Sequence, residues 1–291
     1  MSIGFIGLGV MGAAMCRNLI VKSGHAVFAH DLDPLRVNEM VNEGAVQPKD
    51  AVDIFGRTEI IITCLPGGKH VRQLLLGENG LAHKARKGQV LVDMSTSPPG
   101  LMRELAEVME SRGAHFADAP IARTRQAAAD GTLAIMVGAD EATFARIEPV
   151  LACMGTDIMH CGPVGFGQMV KIMNNMVLFQ NNVALAEALN IAEAHGMKGE
   201  TLLQAMSKGS GDSFALRNHA TKAMLPGEYP NPSFSVRYAR KDLSYAIEMA
   251  EEAGLPHPGC DTVDRLFAEA IEAGDGDLYH PVIRRRLQRD A

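Results

Sequence analysis

The feature that most constrains the fold is a glycine-rich segment close to the start of the chain, GLGVMG at residues 7–12. It follows the apolar run at residues 3–6 and opens a segment, residues 11–21, that is predicted to be helical. In this strand–turn–helix context the three glycines allow a tight turn, a close approach of the backbone to a pyrophosphate, and close packing of helix on strand. The N–H groups at the helix N-terminus then bind phosphate. The sequence therefore predicts a dinucleotide site formed by Gly7, Leu8, Gly9, Val10, Met11 and Gly12.

An acidic residue, Asp31, follows the next apolar run, residues 26–30. It stands 19 positions after Gly12, close to the spacing of about 20 at which a carboxylate accepts hydrogen bonds from the adenosine ribose. Asp33 follows it, and the nearest cation is Arg36. Because two carboxylates would repel a 2′-phosphate, the sequence favours NAD over NADP as the cofactor. A simpler role stays open, in which Asp31 only ends a strand before a turn.

The hydrophobic pattern predicts an α/β part followed by an all-helical part. In the first half of the chain, short β-branched runs alternate with helical segments, as in a mostly parallel, doubly wound sheet covered by helices. The predicted strands span residues 3–6, 26–30, 58–65, 90–93, 115–119, 133–137 and 158–161. We therefore predict a Rossmann-type α/β domain that binds NAD and covers residues 1–163.

Beyond residue 163 the pattern is helical to the end of the chain. Residues 165–194 contain no proline, and their apolar positions recur at helical spacing, which predicts a single helix of about 30 residues. Breaks are predicted near residues 209–211, 226–232 and 256–259. The long helix is thus expected to link the first domain to an all-α domain, residues 164–291, that takes part in substrate binding and dimerisation.

Composition excludes several classes of function. The net charge of −6 comes without a basic stripe, which argues against nucleic acid as a partner. The apolar runs are too short to span a membrane, and the N-terminus enters a strand directly, so we expect a cytoplasmic protein without a membrane partner. The five cysteines are widely spaced and the ten histidines are scattered, which indicates reduced thiols and predicts no metal site.

Several polar or glycine-rich segments directly follow predicted strands. They cover residues 7–12, 65–67, 94–96 and 120–125. In open α/β sheets, ligands bind outside the carboxyl ends of the strands. We therefore expect these four segments to border one crevice.

The long predicted helix carries a polar cluster, Lys171, Asn174 and Asn175, at positions i, i+3 and i+4. This spacing places the three side chains on one helix face, where an ammonium and two amides can bind a substrate oxygen. The alternative is a solvated stripe on an exposed helix. The flanking apolar residues Ile172 and Met176 indicate partial burial and leave both interpretations open.

Motifs along nearly the whole chain occur in the order found in one enzyme family. They are GFIGLGVMG at residues 4–12, DMST at 93–96, DAP at 118–120, GTL at 131–133, KIMNN at 171–175 and KDL at 241–243. In these motifs the chain resembles the β-hydroxyacid dehydrogenases, a family that includes 3-hydroxyisobutyrate dehydrogenase and tartronate semialdehyde reductase.

The resemblance implies roles for individual residues. Lys171 matches the catalytic lysine, which exchanges a proton with the substrate's oxygen while C4 of the nicotinamide exchanges a hydride. Asn175 matches the catalytic residue that holds this lysine and the substrate, with Asn174 beside it as a substrate contact. The positions implied to line the cofactor are Leu65, Pro66, Thr96 and Lys241. By the residues alone, Lys241 could equally be a surface lysine paired with Asp242.

One segment departs from the family pattern D-A-P-V-S-G-G. Here the serine is replaced by Ala122 and the first glycine by Arg123, which Thr124 follows. A guanidinium at the lip of a crevice offers a rigid fork of donors to an anion. The Arg123–Thr124 pair resembles the variant in 3-sulfolactaldehyde reductases, in which an arginine holds the sulfonate; a solvent-facing loop arginine is the alternative. Together with Asn174, the predicted substrate contacts are Ser95, Arg123 and Thr124.

The sequence thus predicts an NAD-dependent oxidoreductase, a homodimer or homotetramer, that interconverts a short β-hydroxy acid and its semialdehyde. Its substrate is a small anion, either a carboxylate of the 3-hydroxyisobutyrate or tartronate semialdehyde type or the sulfonate 3-sulfolactaldehyde. A catalytically silent dinucleotide-binding protein is an alternative of another class, but it would not need an ionisable group at Lys171. Imine reduction on the same architecture is disfavoured for the same reason.

Overall fold

The structure is a computed structural model that describes residues 1–231 and 234–288. By their internal contacts, the residues form two compact units, Met1–Lys171 and Ile172–Ala291. The division falls inside one long helix. The separate domains predicted at residues 1–163 and 164–291 stay a prediction.

The first unit is built on one sheet of eight strands among the described residues. The strands are β1 (Ser2–Ile6), β2 (Ala26–His30), β3 (Ile60–Thr63), β4 (Val90–Asp93), β5 (His115–Asp118), β6 (Ile121–Ala122), β7 (Leu133–Gly138) and β8 (Gly155–Gly162). Strands β2, β1, β3, β4 and β5 are neighbours in that order and run parallel. Strand β7 is antiparallel to β5 and β6 and parallel to β8. The predicted mostly parallel sheet is confirmed, whereas β6 is too short to have been predicted.

Helices cover both faces of this sheet. They are α1 (Val10–Lys22), α2 (Pro34–Asn42), α3 (Ala51–Arg57), α4 (Gly68–Leu76), α5 (Pro99–Ser111), α6 (Arg125–Asp130) and α7 (Glu141–Leu151). Successive strand residues point to opposite faces, so Ile60 and Ile62 join one apolar core and Ile61 joins the other. Burial of each such side chain stabilises the fold by about 1.5–3 kcal/mol. A strand that is apolar on both sides is typical of a doubly wound sheet.

The second unit is helical. It contains most of the 29-residue helix α8 (Phe166–Ala194), then α9 (Gly199–Met206), α10 (Val236–Glu252) and α11 (Pro258–Glu272). A π-helical segment, Leu216–Met224, precedes α10, and a 3-10 segment, His280–Leu287, follows α11. The predicted long helix and the helical second part are confirmed. Within the described residues, no helix is both long enough and apolar enough to cross a membrane.

Candidate active site

The turn after β1 requires glycine at two positions. Gly7 has a φ of +101°, and a Cβ atom there would lie 2.2 Å from the carbonyl oxygen of Cys64. A Cβ at Gly12 would lie 2.0 Å from the carbonyl oxygen of Gly7. Both distances are far below van der Waals contact, so these glycines permit the turn and the close packing of α1 against the neighbouring backbone.

The middle glycine of the turn faces open space instead. Gly9 precedes the first residue of α1, and a Cβ added there would meet only the Nη1 atom of Arg36, at 3.8 Å. Because Gly9 has no side chain, a ligand can approach the N–H groups in the first turn of α1 on this side. Such a helix N-terminus, with its positive dipole end, is suited to a pyrophosphate. The geometry fits the dinucleotide predicted for residues 7–12.

Asp31 is tied to this turn. Its Oδ2 atom accepts a hydrogen bond from the N–H of Leu8 at 2.6 Å, and its Oδ1 atom accepts one from the N–H of Asp33 at 2.9 Å. A carboxylate has about four acceptor positions, so Asp31 retains capacity for ribose hydroxyls. The Arg36 guanidinium donates to the carbonyl of Leu8 at 2.8 Å and lies 3.4 Å from Asp33. This cation is thus already paired, which fits NAD without a 2′-phosphate.

The carboxyl ends of four neighbouring strands lie in register along one edge of the sheet. Ile6 pairs with Thr63, Thr63 with Asp93, and Asp93 with Asp118. The loops that follow these residues therefore leave the sheet at the same edge. They carry the glycine turn and the predicted cofactor contacts Leu65, Pro66 and Thr96. The structure brings these predicted residues to one edge, as the strand pattern indicates.

A buried carboxylate organises the loop after β4. Asp93 is fully buried and accepts hydrogen bonds from the hydroxyls of Thr63, Ser95 and Ser97 at 2.8, 2.6 and 3.4 Å. Burial raises the pKa of Asp93 because it disfavours the charged form. The Ser95 hydroxyl also accepts from the N–H of Leu65 at 2.9 Å, and the residue is only 3% exposed. Its side chain is a structural part of this network, and its predicted role as a substrate contact stays a prediction.

A second buried carboxylate holds the start of α8. Asp118 accepts from the N–H groups of Gly165 and Gln168 at 2.6 and 2.7 Å, so it satisfies two N–H groups that the helix itself leaves unpaired. Burial raises the pKa of Asp118 to about 7, and the two N–H donors oppose that rise. The Gln168 side chain is also fully buried. Sequence reasoning missed Gln168, whose only signal was a polar side chain within an apolar helical run.

Helix α8 carries all three residues of the predicted catalytic cluster. Lys171 is half-buried and is the last residue of the first unit. In the second unit, Asn174 is exposed and donates to Asn175 Oδ1 at 3.3 Å. Asn175 is 2% exposed and donates to Asp242 Oδ2 at 2.8 Å. The amide of Asn175 is therefore fixed in orientation by a buried carboxylate.

The same carboxylate also holds Lys241, so the pairing with Asp242 that the sequence left open is present. The Lys241 Nζ atom lies 2.9 Å from Asp242 Oδ1 and 4.1 Å from the ring centroid of Tyr238. The predicted contact of Lys241 with the cofactor stays a prediction. Asp242 joins Asn175 to Lys241 and was missed as a site residue, although it is the middle residue of the KDL motif.

Arg123 is engaged on the surface of the first unit. Its φ is +87°, a left-handed conformation that favours glycine. The guanidinium donates to the carbonyl of Thr132 at 2.7 Å and forms an ion pair with Asp157 at 2.7 Å, in which both side chains are about half exposed. The hydroxyl of Thr124 caps α6 by accepting from the N–H of Ala127. Both side chains thus have partners within the protein, and their predicted contacts with a substrate anion stay a prediction.

Two family models match the chain. One is described as the NAD binding domain of 6-phosphogluconate dehydrogenase and matches residues 2–162. The other is described as NAD-binding of NADP-dependent 3-hydroxyisobutyrate dehydrogenase and matches residues 165–285. Between them, the two matches span both compact units.

Individual relatives agree over almost the full length. A 2-(hydroxymethyl)glutarate dehydrogenase from Eubacterium barkeri is 37% identical, covering 94% of this chain and 90% of its own. A 2-hydroxy-3-oxopropionate reductase from Escherichia coli is 33% identical, covering 99% and 97%. The solved structure of Mycobacterium tuberculosis 3-hydroxyisobutyrate dehydrogenase with L-serine has a TM-score of 0.90 and 32% identity, covering 99% of both chains.

Proposed function

The chain belongs to the β-hydroxyacid dehydrogenase family of NAD-dependent oxidoreductases, and from this premise we propose that it interconverts a short β-hydroxy acid and its semialdehyde. NAD is its cofactor. The observation that carries the proposal is the position of Lys171. It lies on the helical turn that follows the anchored start of α8, in the unit that also holds the glycine turn and Asp31.

The residues at the sheet edge have distinct parts in this function. The first turn of α1 binds the pyrophosphate, Asp31 accepts from the ribose, and the loops after β3 and β4 line the dinucleotide. When bound, NAD supplies or accepts a hydride at C4 of the nicotinamide. Lys171 donates a proton to the carbonyl oxygen during reduction and accepts it from the hydroxyl during oxidation. Asn174 and Asn175, on the next turn of the same helix, bind the substrate.

The proton transfer is tested by Lys171→Ala. General acid–base catalysis contributes about 10²- to 10⁴-fold, so kcat for semialdehyde reduction should fall by that factor. The Kd for NADH, measured by fluorescence, should stay within roughly threefold, because Lys171 is not among the residues that hold the dinucleotide. Lys198→Ala removes an exposed lysine at the start of α9 and should leave both constants unchanged.

The same assay separates this proposal from its alternatives. The substrate panel is methylmalonic, tartronic and succinic semialdehyde and 3-sulfolactaldehyde, each with NADH. A wild-type protein that binds NADH but reduces none of them would support the catalytically silent alternative. Turnover that survives Lys171→Ala would contradict the assigned proton donor, and imine reduction would then be tested next.

The finer proposal concerns the substrate's anion, which Arg123 would hold as a sulfonate. Two observations support it: Arg123 stands where the family pattern has glycine, and its ion pair with Asp157 is exposed and therefore weak. An exposed pair such as Arg123–Asp157 contributes only about 0–1 kcal/mol, so a substrate anion can displace Asp157. A charge-assisted hydrogen bond contributes about 1.5–3 kcal/mol, or roughly 10- to 100-fold in affinity.

Two matched variants test the sulfonate. Arg123→Ala should lower kcat/KM for 3-sulfolactaldehyde by roughly 10- to 100-fold and that for methylmalonic semialdehyde much less. Asp157→Asn releases the guanidinium, so KM for the sulfonate should fall or stay constant. An unchanged preference between the two substrates in Arg123→Ala would mean that the sulfonate proposal is wrong and that a carboxylate is the natural anion.

We also propose that the protein is a homodimer or homotetramer. In support, α8 exposes apolar side chains along the second unit, with Val177 51% and Ile191 62% exposed. A second copy of the chain would cover such side chains. Light scattering on the purified protein should give two or four times the 31.2 kDa mass of one chain; a monomer would contradict the proposal.

A further inference from the structure

A continuous buried polar network in the first unit joins the cofactor-side loops to the start of α8. It begins at the N–H of Leu65, passes through the Ser95 hydroxyl to Asp93, and reaches the Ser97 hydroxyl. The N–H of Ser97 then donates to Oε1 of Gln168 at 3.0 Å. The loops after β3 and β4 are thereby bonded to one side chain on α8.

Gln168 bridges both sides of Thr96, a predicted cofactor contact. Its Oε1 atom accepts from the N–H of Ser97, and its Nε2 atom donates to the carbonyl of Ser95 at 2.7 Å. The side chain is fully buried, so a substitution that removes its amide leaves both backbone groups in the interior without this partner. An amide supplies the donor and the acceptor together, whereas a carboxylate or a hydrocarbon of similar size cannot.

Asp118 fixes the backbone of the same turn. Its two oxygens accept from Gly165 and Gln168 at 2.6 and 2.7 Å. Two glycines make room for it, because a Cβ at Gly138 would lie 2.4 Å from Oδ1 and one at Gly167 would lie 2.8 Å from Oδ2. The start of α8 is therefore held through its backbone by Asp118 and through a side chain by Gln168.

We propose that Gln168 and Asp118 are positioning residues for Lys171, a role that rests on the proposed function. Lys171 follows Gln168 by three residues, so the two lie on the same side of α8, one turn apart. The Ser95–Ser97 loop and the lysine are thus joined through a single amide. A rotation or slide of the helix start relative to that loop would break both hydrogen bonds of the Gln168 amide. Gln168 in this way keeps the proton donor in register with the cofactor-side loop.

A double-mutant cycle tests this role, because a residue that acts through Lys171 has little left to act on once the lysine is gone. Displacement of a catalytic group by about 1 Å can cost 10²-fold in rate. Gln168→Leu should therefore lower kcat by roughly 100-fold with the NADH Kd within about threefold. In the Lys171→Ala background the same change should lower the residual rate by less than about threefold.

The control is Gln180→Leu, which removes a half-buried glutamine from the same helix outside the network, and kcat should stay within about threefold. Gln168→Glu keeps the acceptor for Ser97 but loses the donor to Ser95, so an intermediate loss of kcat is expected. It serves in place of Gln168→Leu if that variant does not fold.

Hydrogen exchange provides a readout that does not depend on activity. In the protein without NADH, Gln168→Leu should accelerate exchange in peptides from residues 93–98 and 163–171 together, whereas Gln180→Leu should accelerate neither. If the Gln168 and Lys171 effects multiply fully, or if only one peptide responds, Gln168 is not a positioning residue although the proposed function stands. Full activity in Lys171→Ala would overturn both.

Discussion

The two units differ in the buried groups whose pKa values are shifted by burial. In the first unit, Asp93 and Asp118 are surrounded by N–H and hydroxyl donors at the edge of the sheet, close to the predicted site. In the second unit, His219 and His280 share one amide, that of Asn182, at 3.0 and 3.3 Å. The rings packed around His280, with centroids within 6.4 Å, belong to Phe179, His219, Phe234, Phe267 and Tyr279.

This difference gives the units opposite responses to acid. Burial raises the pKa of Asp118 from 3.8 to about 7, so stability contributed by its protonated form is present at low pH and is lost as pH rises through 7. Burial lowers the pKa of His219 from 6.5 to about 4 and that of His280 well below 6.5. The unfolded histidines bind protons first, so stability of the second unit falls as pH drops below 6.5. These shifts predict that acid stabilises the first unit through Asp118 and destabilises the second unit through His219 and His280.

The largest expected effect is therefore a selective loss of the second unit on acidification. Between pH 7.5 and 5 the lowered pKa of His219 costs the second unit roughly 2 kcal/mol, at about 1.36 kcal/mol per pH unit below 6.5, and His280 adds a loss of the same sign. Hydrogen exchange at pH 7.5 and 5, corrected for the intrinsic rate, should show lost protection in α10 and α11 and retained protection in β4 and β5. Equal losses in both units would refute the comparison.

His219→Asn should remove the part of that acid sensitivity that comes from His219. The asparagine amide can still donate to Asn182 Oδ1 but does not titrate, so roughly 2 kcal/mol of the loss at pH 5 should disappear. The readout is the difference in unfolding free energy of the second unit between pH 7.5 and 5. His195→Asn replaces an exposed side chain just after the end of α8 and should leave that difference as in the wild type.

Features that depend on local spacing were predictable from the sequence. The glycine turn and the 29-residue helix α8 both follow from residues adjacent in the chain. Asp31 likewise stands at a fixed distance from Gly12 and its carboxylate lies against the glycine turn, whereas its contact with the ribose stays a prediction. Such positions can be identified because a glycine turn, a strand and a helix each have a characteristic pattern in the local sequence.

Features that depend on distant partners were not predictable. Nothing near Ser95 shows that its hydroxyl turns inward to Asp93, and nothing near Arg123 shows that Asp157, on another strand, holds its guanidinium. Gln168 and Asp242 were missed for the same reason, because the role of a polar residue in a helix depends on hydrogen-bond partners that are distant in the sequence. The family pattern supplied the position of Lys171, but not the side chains that hold the start of its helix.

The smallest expected effect, Asp118→Asn, tests the carboxylate side of the comparison. An amide has only one oxygen, so the N–H of either Gly165 or Gln168 loses its acceptor, which costs about 1–3 kcal/mol, partly offset because no charge is buried. We expect a net loss of about 1 kcal/mol in the first unit at pH 7.5. The wild type gains stability as Asp118 takes up a proton below pH 7, whereas the variant does not. The difference in unfolding free energy between wild type and variant should therefore increase towards pH 5. If that difference decreases on acidification, the two N–H donors hold Asp118 as a carboxylate, and both units would then lose stability at low pH.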